Sequence, residues 1–92
     1  MTGEVTNNEA RQRYELPVEG GIAVAYYEPR GTAIALTHTV VPERLQGRGL
    51  ASLVIKAALA DIRERGLKVV PDCPFVAHYI ARHPEEADLV AA

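Results

Sequence analysis

Alternating apolar and polar positions in the first half of the chain predict three β-strands. Residues 12–18 alternate with period two, as in a strand with one buried face. Gly20-Gly21 marks a turn, and residues 22–26 continue the alternation as a second strand. The segment Glu28–Gly31 predicts the next turn, because proline fixes φ and glycine tolerates a positive φ. A third strand then runs from about residue 32 to residue 41.

The third predicted strand is apolar on both sides, which is typical of a strand inside a sheet. Regular alternation places Ile34, Leu36, His38 and Val40 on one face. The other face then carries Ala33, Ala35, Thr37, Thr39 and Val41. We therefore expect both faces to be buried or functional.

After Pro42 the apolar period changes from two to 3.6, which predicts an amphipathic helix. Its apolar stripe consists of Leu50, Leu53, Val54, Ala57, Ala58 and Ile62. Gly66 at the left-handed cap position, with Leu67 placed to contact Ile62, predicts the end of this helix.

A short buried strand and a second helix complete the predicted order. Residues 67–70 form the strand, and Pro71 ends it. Asp72–Pro74 predicts the start of the second helix, since proline suits the first helical position. The apolar side of that helix consists of Phe75, Val76, Tyr79 and Ile80. The order β-β-β-α-β-α predicts an α+β fold, in which antiparallel strands and one right-handed β-α-β crossover form a mixed sheet.

Composition narrows the class of protein. The 92 residues, 48% hydrophobic and 24% charged, suit one soluble domain over residues 1–92, and we expect residues 1–9 to be flexible. No apolar run is long enough to cross a membrane and no secretory signal is visible, which predicts a cytoplasmic location. One cysteine and three scattered histidines predict no metal site. We expect a monomer or a weak dimer.

The charge distribution bears on the class of ligand. A net charge of −2 argues against a nucleic-acid partner. Residues 42–68 nevertheless carry six basic and three acidic side chains. A local basic segment of this kind suits a small anionic ligand, and a solvated helix face explains it equally well.

The segment Val40–Ala51, between the third strand and the long helix, carries the strongest chemical signal. A glycine-rich loop at a helix N-terminus presents free backbone N–H groups to a phosphate. Gly47 and Gly49 allow close approach, and Arg44 and Arg48 add positive charge. The segment lacks the Gly-Lys-Ser/Thr of a P-loop, and too little chain follows to build the doubly wound sheet of a dinucleotide fold.

The loop resembles the pyrophosphate loop of the GNAT superfamily of N-acetyltransferases, Gln/Arg-x-x-Gly-x-Gly/Ala, through Arg44, Gly47 and Gly49. A narrower resemblance, to small single-domain acetyl-CoA-binding proteins of the YjdJ type, rests on Thr37–Thr39, Gly66–Val76 and Arg82–Glu85. The resemblance implies a GNAT-like core and acetyl-CoA as cosubstrate, with an unidentified amine as acceptor. Two positions depart from that type, Val40 where glutamate is frequent and Glu86 where an aromatic residue is usual.

The resemblance also implies which residues hold acetyl-CoA. Val40 and Val41 offer backbone groups to the pantetheine arm, and Arg44 contributes charge. The pyrophosphate is expected on the backbone of Leu45, Gln46, Gly47, Arg48, Gly49 and Leu50.

Three side chains are candidates for the transfer chemistry. His38 suits a general base, and Cys73 at a helix start suits a nucleophile or a thiol lining the thioester pocket. Tyr79 is a candidate acid. Each has a structural alternative, as a hydrogen-bonded histidine, an inert buried cysteine and a core tyrosine. Three functions follow as hypotheses: an N-acetyltransferase, a non-catalytic acetyl-CoA binder or sensor, and a protein that acylates itself at Cys73.

Overall fold

A five-stranded sheet and two helices form in residues 3–91, the part of the chain described by the computed structural model. The strands are β1 (Thr6–Asn8), β2 (Arg13–Val18), β3 (Gly21–Arg30), β4 (Ala33–Val40) and β5 (Lys68–Val70). The helices are α1 (Leu50–Glu64) and α2 (Pro74–Arg82), and short 3₁₀ segments cover Glu9–Arg11, Glu43–Leu45 and Pro84–Leu89. The strands lie side by side in chain order, the first four antiparallel and β5 parallel to β4. This mixed sheet confirms the predicted α+β class.

Strand β1 is an addition to the predicted element order. It pairs antiparallel with β2, and the Gly3 N–H donates to the Pro17 carbonyl at 2.9 Å. The strand lies inside the segment 1–9, for which flexibility stays a prediction, and Met1 and Thr2 lie outside the described residues. A polar edge strand of three residues carries no hydrophobic period that would predict it.

The turn between β3 and β4 is shorter than the predicted Glu28–Gly31. Strand β3 continues to Arg30, which pairs with Ala33, so that two residues form the turn. Gly31 has φ of +63°. A two-residue hairpin turn that begins with glycine matches the twist of the paired strands, which is why the pairing extends past Pro29.

One hydrophobic core lies between the sheet and the two helices. The buried side chains of α1 are Leu50, Val54, Ile55, Ala58, Leu59 and Ile62. The predicted stripe is wrong at Leu53, which is 49% exposed, and at Ala57. With Ile55 and Leu59 turned toward the core in place of Leu53 and Ala57, the helix buries more apolar surface. The predicted helix end is confirmed, since the Leu67 N–H donates to the Ile62 carbonyl and Gly66 has a positive φ.

A β-bulge at Thr37 reverses the alternation of side chains along β4. Tyr26 pairs with His38 while Tyr27 pairs with Leu36, so Thr37 is the extra residue, and its hydroxyl donates to the Tyr26 carbonyl at 3.4 Å. The predicted faces are therefore wrong beyond Leu36. His38 leaves the core face, and Thr39 takes its place there.

Candidate functional site

Strands β4 and β5 separate after a short paired stretch, and the gap between them opens the candidate site. Their pairing covers only Ala33–Ala35 with Lys68–Val70. Beyond it, the Cys73 N–H donates to the Leu36 carbonyl at 2.9 Å, and Thr39 Oγ1 lies 3.5 Å from Cys73 Sγ. These contacts join the end of β4 to the start of α2 and fix the width of the gap.

The loop of residues 41–49 closes one end of this gap. Its 3₁₀ turn is anchored by buried Leu45, whose N–H donates to the Pro42 carbonyl at 2.8 Å. Helix α1 then begins after Gly49, with no side-chain cap and no acidic residue in its first turn. The first N–H groups of a helix lack intrahelical acceptors, and the helix dipole makes this end positive. The uncapped start of α1 is therefore suited to an anion.

A cleft of about 350 Å³ lies between the end of β4, the loop, the start of α1 and Phe75 of α2, and we call it the first cleft. Its lining consists of Thr39, Val41, Leu45, Gln46, Gly47, Gly49, Leu50, Ala51, Ser52 and Phe75. Gly47 and Gly49 have φ of +82° and +75°, and a Cβ at either position would meet no described atom within 4 Å. Both glycines therefore leave their backbone open to a ligand.

Most of the predicted loop residues line the first cleft, and three do not. Val41, Leu45, Gln46, Gly47, Gly49 and Leu50 belong to its lining. Val40 pairs with Val24 on the opposite face of the sheet and is 51% exposed. The bulge accounts for this placement, because it exchanges the faces of the residues that follow it.

Arg44 and Arg48 line a different cavity, of about 620 Å³, between the loop and the β2–β3 turn, and we call it the arginine cleft. Its remaining lining consists of Val18, Glu19, Gly20, Leu45 and Leu50. Arg44 Nη2 donates to the Glu19 carbonyl at 2.8 Å, which ties the loop to the β2–β3 turn. Neither arginine belongs to the lining of the first cleft.

The two catalytic candidates lie on different sides of the sheet. His38 is exposed and pairs with Tyr26, whose hydroxyl accepts a hydrogen bond from Arg13 at 3.1 Å. Cys73 is only 7% exposed and directly precedes α2, with its thiol beside Thr39 of the first cleft. Of these two candidates, only Cys73 is in contact with a side chain that lines the first cleft.

Tyr79 lies further along α2 and does not line the first cleft. Its ring stacks on His83 with 3.9 Å between centroids, and His83 Nδ1 lies 2.7 Å from the Tyr79 carbonyl. Burial raises the pKa of the Tyr79 hydroxyl, and the charges of Glu86 and Glu85 act in the same direction. These contacts place Tyr79 in the packing between α2 and the segment after it.

Four residues of the first cleft are not evident as site residues in the sequence. Thr39 could not be predicted as a site residue, because the periodicity of apolar positions does not reveal the bulge that places it at the cleft. Ala51 and Ser52 belong to the first turn of α1, next to the loop. Phe75, expected on the apolar side of α2, is 37% exposed at the cleft. Its position directly after the N-terminal Pro74 is the only signal that points to the site.

The fold and the site together define a class of protein: a mixed sheet whose separated strands open a cleft, closed by a glycine-rich loop at a helix start. The family of GCN5-related N-acetyltransferases matches residues 13–89, and the chain belongs to this family. A solution structure of a GCN5-like N-acetyltransferase candidate from Staphylococcus aureus superposes with a TM-score of 0.74. It is 23% identical and covers 97% of this chain and 88% of that one, which supports the fold.

Similar chains are also found in vertebrates, under the name protein NATD1. The chicken protein is 33% identical over 84 residues, which cover 88% of this chain and 76% of the relative. The mouse and human proteins are each 34% identical over 83 residues, 87% of this chain, and cover 76% and 74% of the relatives. The similarity extends over most of both chains, so it includes the cleft and the loop.

Two kinds of feature are absent from the described residues, 3–91. Neither helix in this range has the length and apolar character that a membrane span requires. Within the same residues, His, Cys, Asp and Glu side chains do not assemble into a group of three or more that would hold a metal ion.

Proposed function

We propose that this protein binds acetyl-CoA in the first cleft and transfers the acetyl group to an amine. The observation that carries the proposal is the open, uncapped start of α1 beside the gap between β4 and β5. A backbone N–H cradle at the positive end of a helix suits a pyrophosphate, and a narrow gap with an apolar lining suits the pantetheine arm. Membership of the family supports both assignments.

We propose that the loop and the end of β4 bind different parts of acetyl-CoA. The backbone from Leu45 to Leu50 holds the pyrophosphate, with Gly47 and Gly49 giving it access. Backbone groups of Val40 and Val41 hold the pantetheine arm, next to the Thr39 side chain. The side chain of Val40 faces away from the first cleft, so its proposed contribution is limited to its backbone.

Acetyl transfer requires a neutral amine, and an unperturbed lysine amine has a pKa of about 10.4. The first cleft is lined by no acid, lysine or histidine among residues 3–91. Its polar side chains are Thr39, Gln46 and Ser52. His38 as the base therefore requires an acceptor that reaches the cleft from the opposite face of the sheet. Cys73 lies closer to the first cleft than His38 does, because its thiol contacts Thr39, which belongs to the cleft lining.

Release of free CoA in the presence of a panel of amines tests the proposed transfer. Acetyl-CoA alone is expected to raise the melting temperature, because it binds only the folded chain. At one hundred times Kd the stabilisation is about 2.7 kcal/mol, which corresponds to about 10–20 °C for a domain of this size. Absence of any shift at saturating acetyl-CoA would overturn the proposal.

A non-catalytic acetyl-CoA binder or sensor is the second candidate function. Two observations favour it: Val40 stands where an acid is frequent in the resembling proteins, and the first cleft lacks a residue that titrates near neutral pH in the described chain. The same experiments separate it from the transferase. A sensor gives the full thermal shift with acetyl-CoA and releases no CoA with any amine.

Self-acylation is a variant of these functions that the contact between Cys73 and Thr39 favours. The Cys73 sulfur would attack the acetyl carbonyl, forming a new thioester as the bond to the CoA sulfur breaks. The thiol proton leaves with CoA, so the exchange needs no further reactant. Mass spectrometry after incubation with acetyl-CoA is expected to show one added acetyl group, absent in Cys73→Ala. An unmodified wild-type chain would exclude this variant.

A further inference from the structure

The arginine cleft is a second cavity beside the loop, and the proposed acetyl and pyrophosphate contacts do not use it. It lies between the β2–β3 turn and the loop, and Arg44 and Arg48 both belong to its lining. Leu45 and Leu50 belong to the lining of both cavities. The two cavities therefore adjoin along the loop.

Arg44 is held in a defined position between the loop and the β2–β3 turn. Its Nη2 donates to the Glu19 carbonyl at 2.8 Å, and a Cβ at position 20 would lie only 1.9 Å from the same atom. Gly20 therefore lets the turn close over the guanidinium. An arginine side chain carries five N–H donors, so this hydrogen bond leaves most of them available.

Arg48 differs from Arg44 in having no partner among the residues that the structure describes. Within residues 3–91 its side chain makes no hydrogen bond and no ion pair. Glu19 also lines the cleft and partly balances the two positive charges. Among the described residues, the cavity is thus lined by one arginine that is hydrogen-bonded to the β2–β3 turn and one that is unpaired. Guanidinium groups bind phosphate oxygens through paired, charge-assisted hydrogen bonds.

The chemistry of CoA connects this cavity to the first cleft. CoA carries a pyrophosphate and, one ribose away, a separate 3′-phosphate with a charge close to −2 at neutral pH. A pyrophosphate on the loop N–H groups would bring the ribose and its 3′-phosphate within reach of the adjoining cavity. We propose that the arginine cleft binds the 3′-phosphate of CoA through Arg44 and Arg48, so that the protein selects CoA over 3′-dephospho-CoA. This inference rests on the proposed function.

Calorimetric titration of the full chain with CoA and with 3′-dephospho-CoA tests the inference. The wild-type protein is expected to bind CoA about tenfold more tightly, the effect of one strong charge-assisted contact. In Arg48→Gln the preference is expected to fall below about twofold. Arg82→Gln is the matched control, since Arg82 is exposed on α2 and lines neither cleft, and it is expected to keep the tenfold preference.

A measurement on the wild-type protein alone gives an independent test. Raising the salt concentration from about 50 to 200 mM is expected to lower the preference for CoA, because salt screens exposed charges. Equal affinities for both ligands in the wild type would overturn the 3′-phosphate site and leave acetyl-CoA binding intact. A preference unchanged in Arg48→Gln would also overturn it. If neither ligand binds, the proposed function itself is wrong.

Discussion

Replacing Gly47 with aspartate puts a side chain and a negative charge into the first cleft. Gly47 has φ of +82°, and a Cβ there would meet no described atom within 4 Å. The substitution therefore costs the folded protein only backbone strain, about 1–2 kcal/mol for a residue in the left-handed region. The strain for aspartate is expected toward the lower end of this range, because aspartate tolerates the left-handed region better than most residues do.

Gly31 provides a matched control for the same substitution. It also has a positive φ, +63°, and a Cβ added there would meet no described atom within 4 Å, but it lies in the β3–β4 turn and outside the first cleft. Gly31→Asp and Gly47→Asp are expected to lower the melting temperature by similar amounts. For a domain of this size each kcal/mol corresponds to about 4–8 °C.

Acetyl-CoA binding is expected to separate the two variants. In Gly47→Asp the new carboxylate faces the pyrophosphate, and two like charges about 4 Å apart near a protein surface cost about 4 kcal/mol before screening. We expect affinity to fall at least about a hundredfold by calorimetry, with Gly31→Asp within about twofold of wild type. Wild-type affinity in folded Gly47→Asp, or an equal loss in Gly31→Asp, would refute the assignment of the pyrophosphate to this loop.

Three further predictions concern the stability of the fold. Tyr14→Phe removes a hydrogen bond to Asp61 of 2.7 Å and is expected to cost about 1 kcal/mol in urea unfolding, since Asp61 is partly exposed and regains water. The Arg63 side chain lowers the pKa of Asp88 to about 2. This pair therefore stabilises the fold above pH 4 and loses its effect as the pH falls toward 2. Asp88→Asn is expected to flatten that part of a plot of the free energy of unfolding against pH. Leu53→Ser is expected to lower the free energy of unfolding by about 1 kcal/mol in urea unfolding, less than a serine at a fully buried leucine would, because Leu53 is half exposed.

The sequence predicted those parts of the fold that depend on local signals. Gly66 and Leu67 end α1 as expected, and Pro74 is the first residue of α2, because caps and proline act within a few residues. The loop could also be located, since two glycines before an apolar helical stripe are a local pattern. The bulge at Thr37 could not be located from the sequence, because it depends on the pairing of β4 with β3. The choice of Ile55 over Leu53 for the core is likewise made by packing against the sheet.

The bulge also decides which side chains can take part in chemistry. With regular alternation His38 would share the face of Leu36 and stand beside the first cleft, whereas the bulge puts Thr39 there and turns His38 to the opposite face. The cleft therefore has the neutral Thr39 side chain in its lining, and the His38 imidazole is not part of it. Under the proposed function, acetyl-CoA contacts groups that line the first cleft, whereas His38 lies on the opposite face of the sheet. We therefore expect mutations of the loop to affect acetyl-CoA binding far more than mutation of His38.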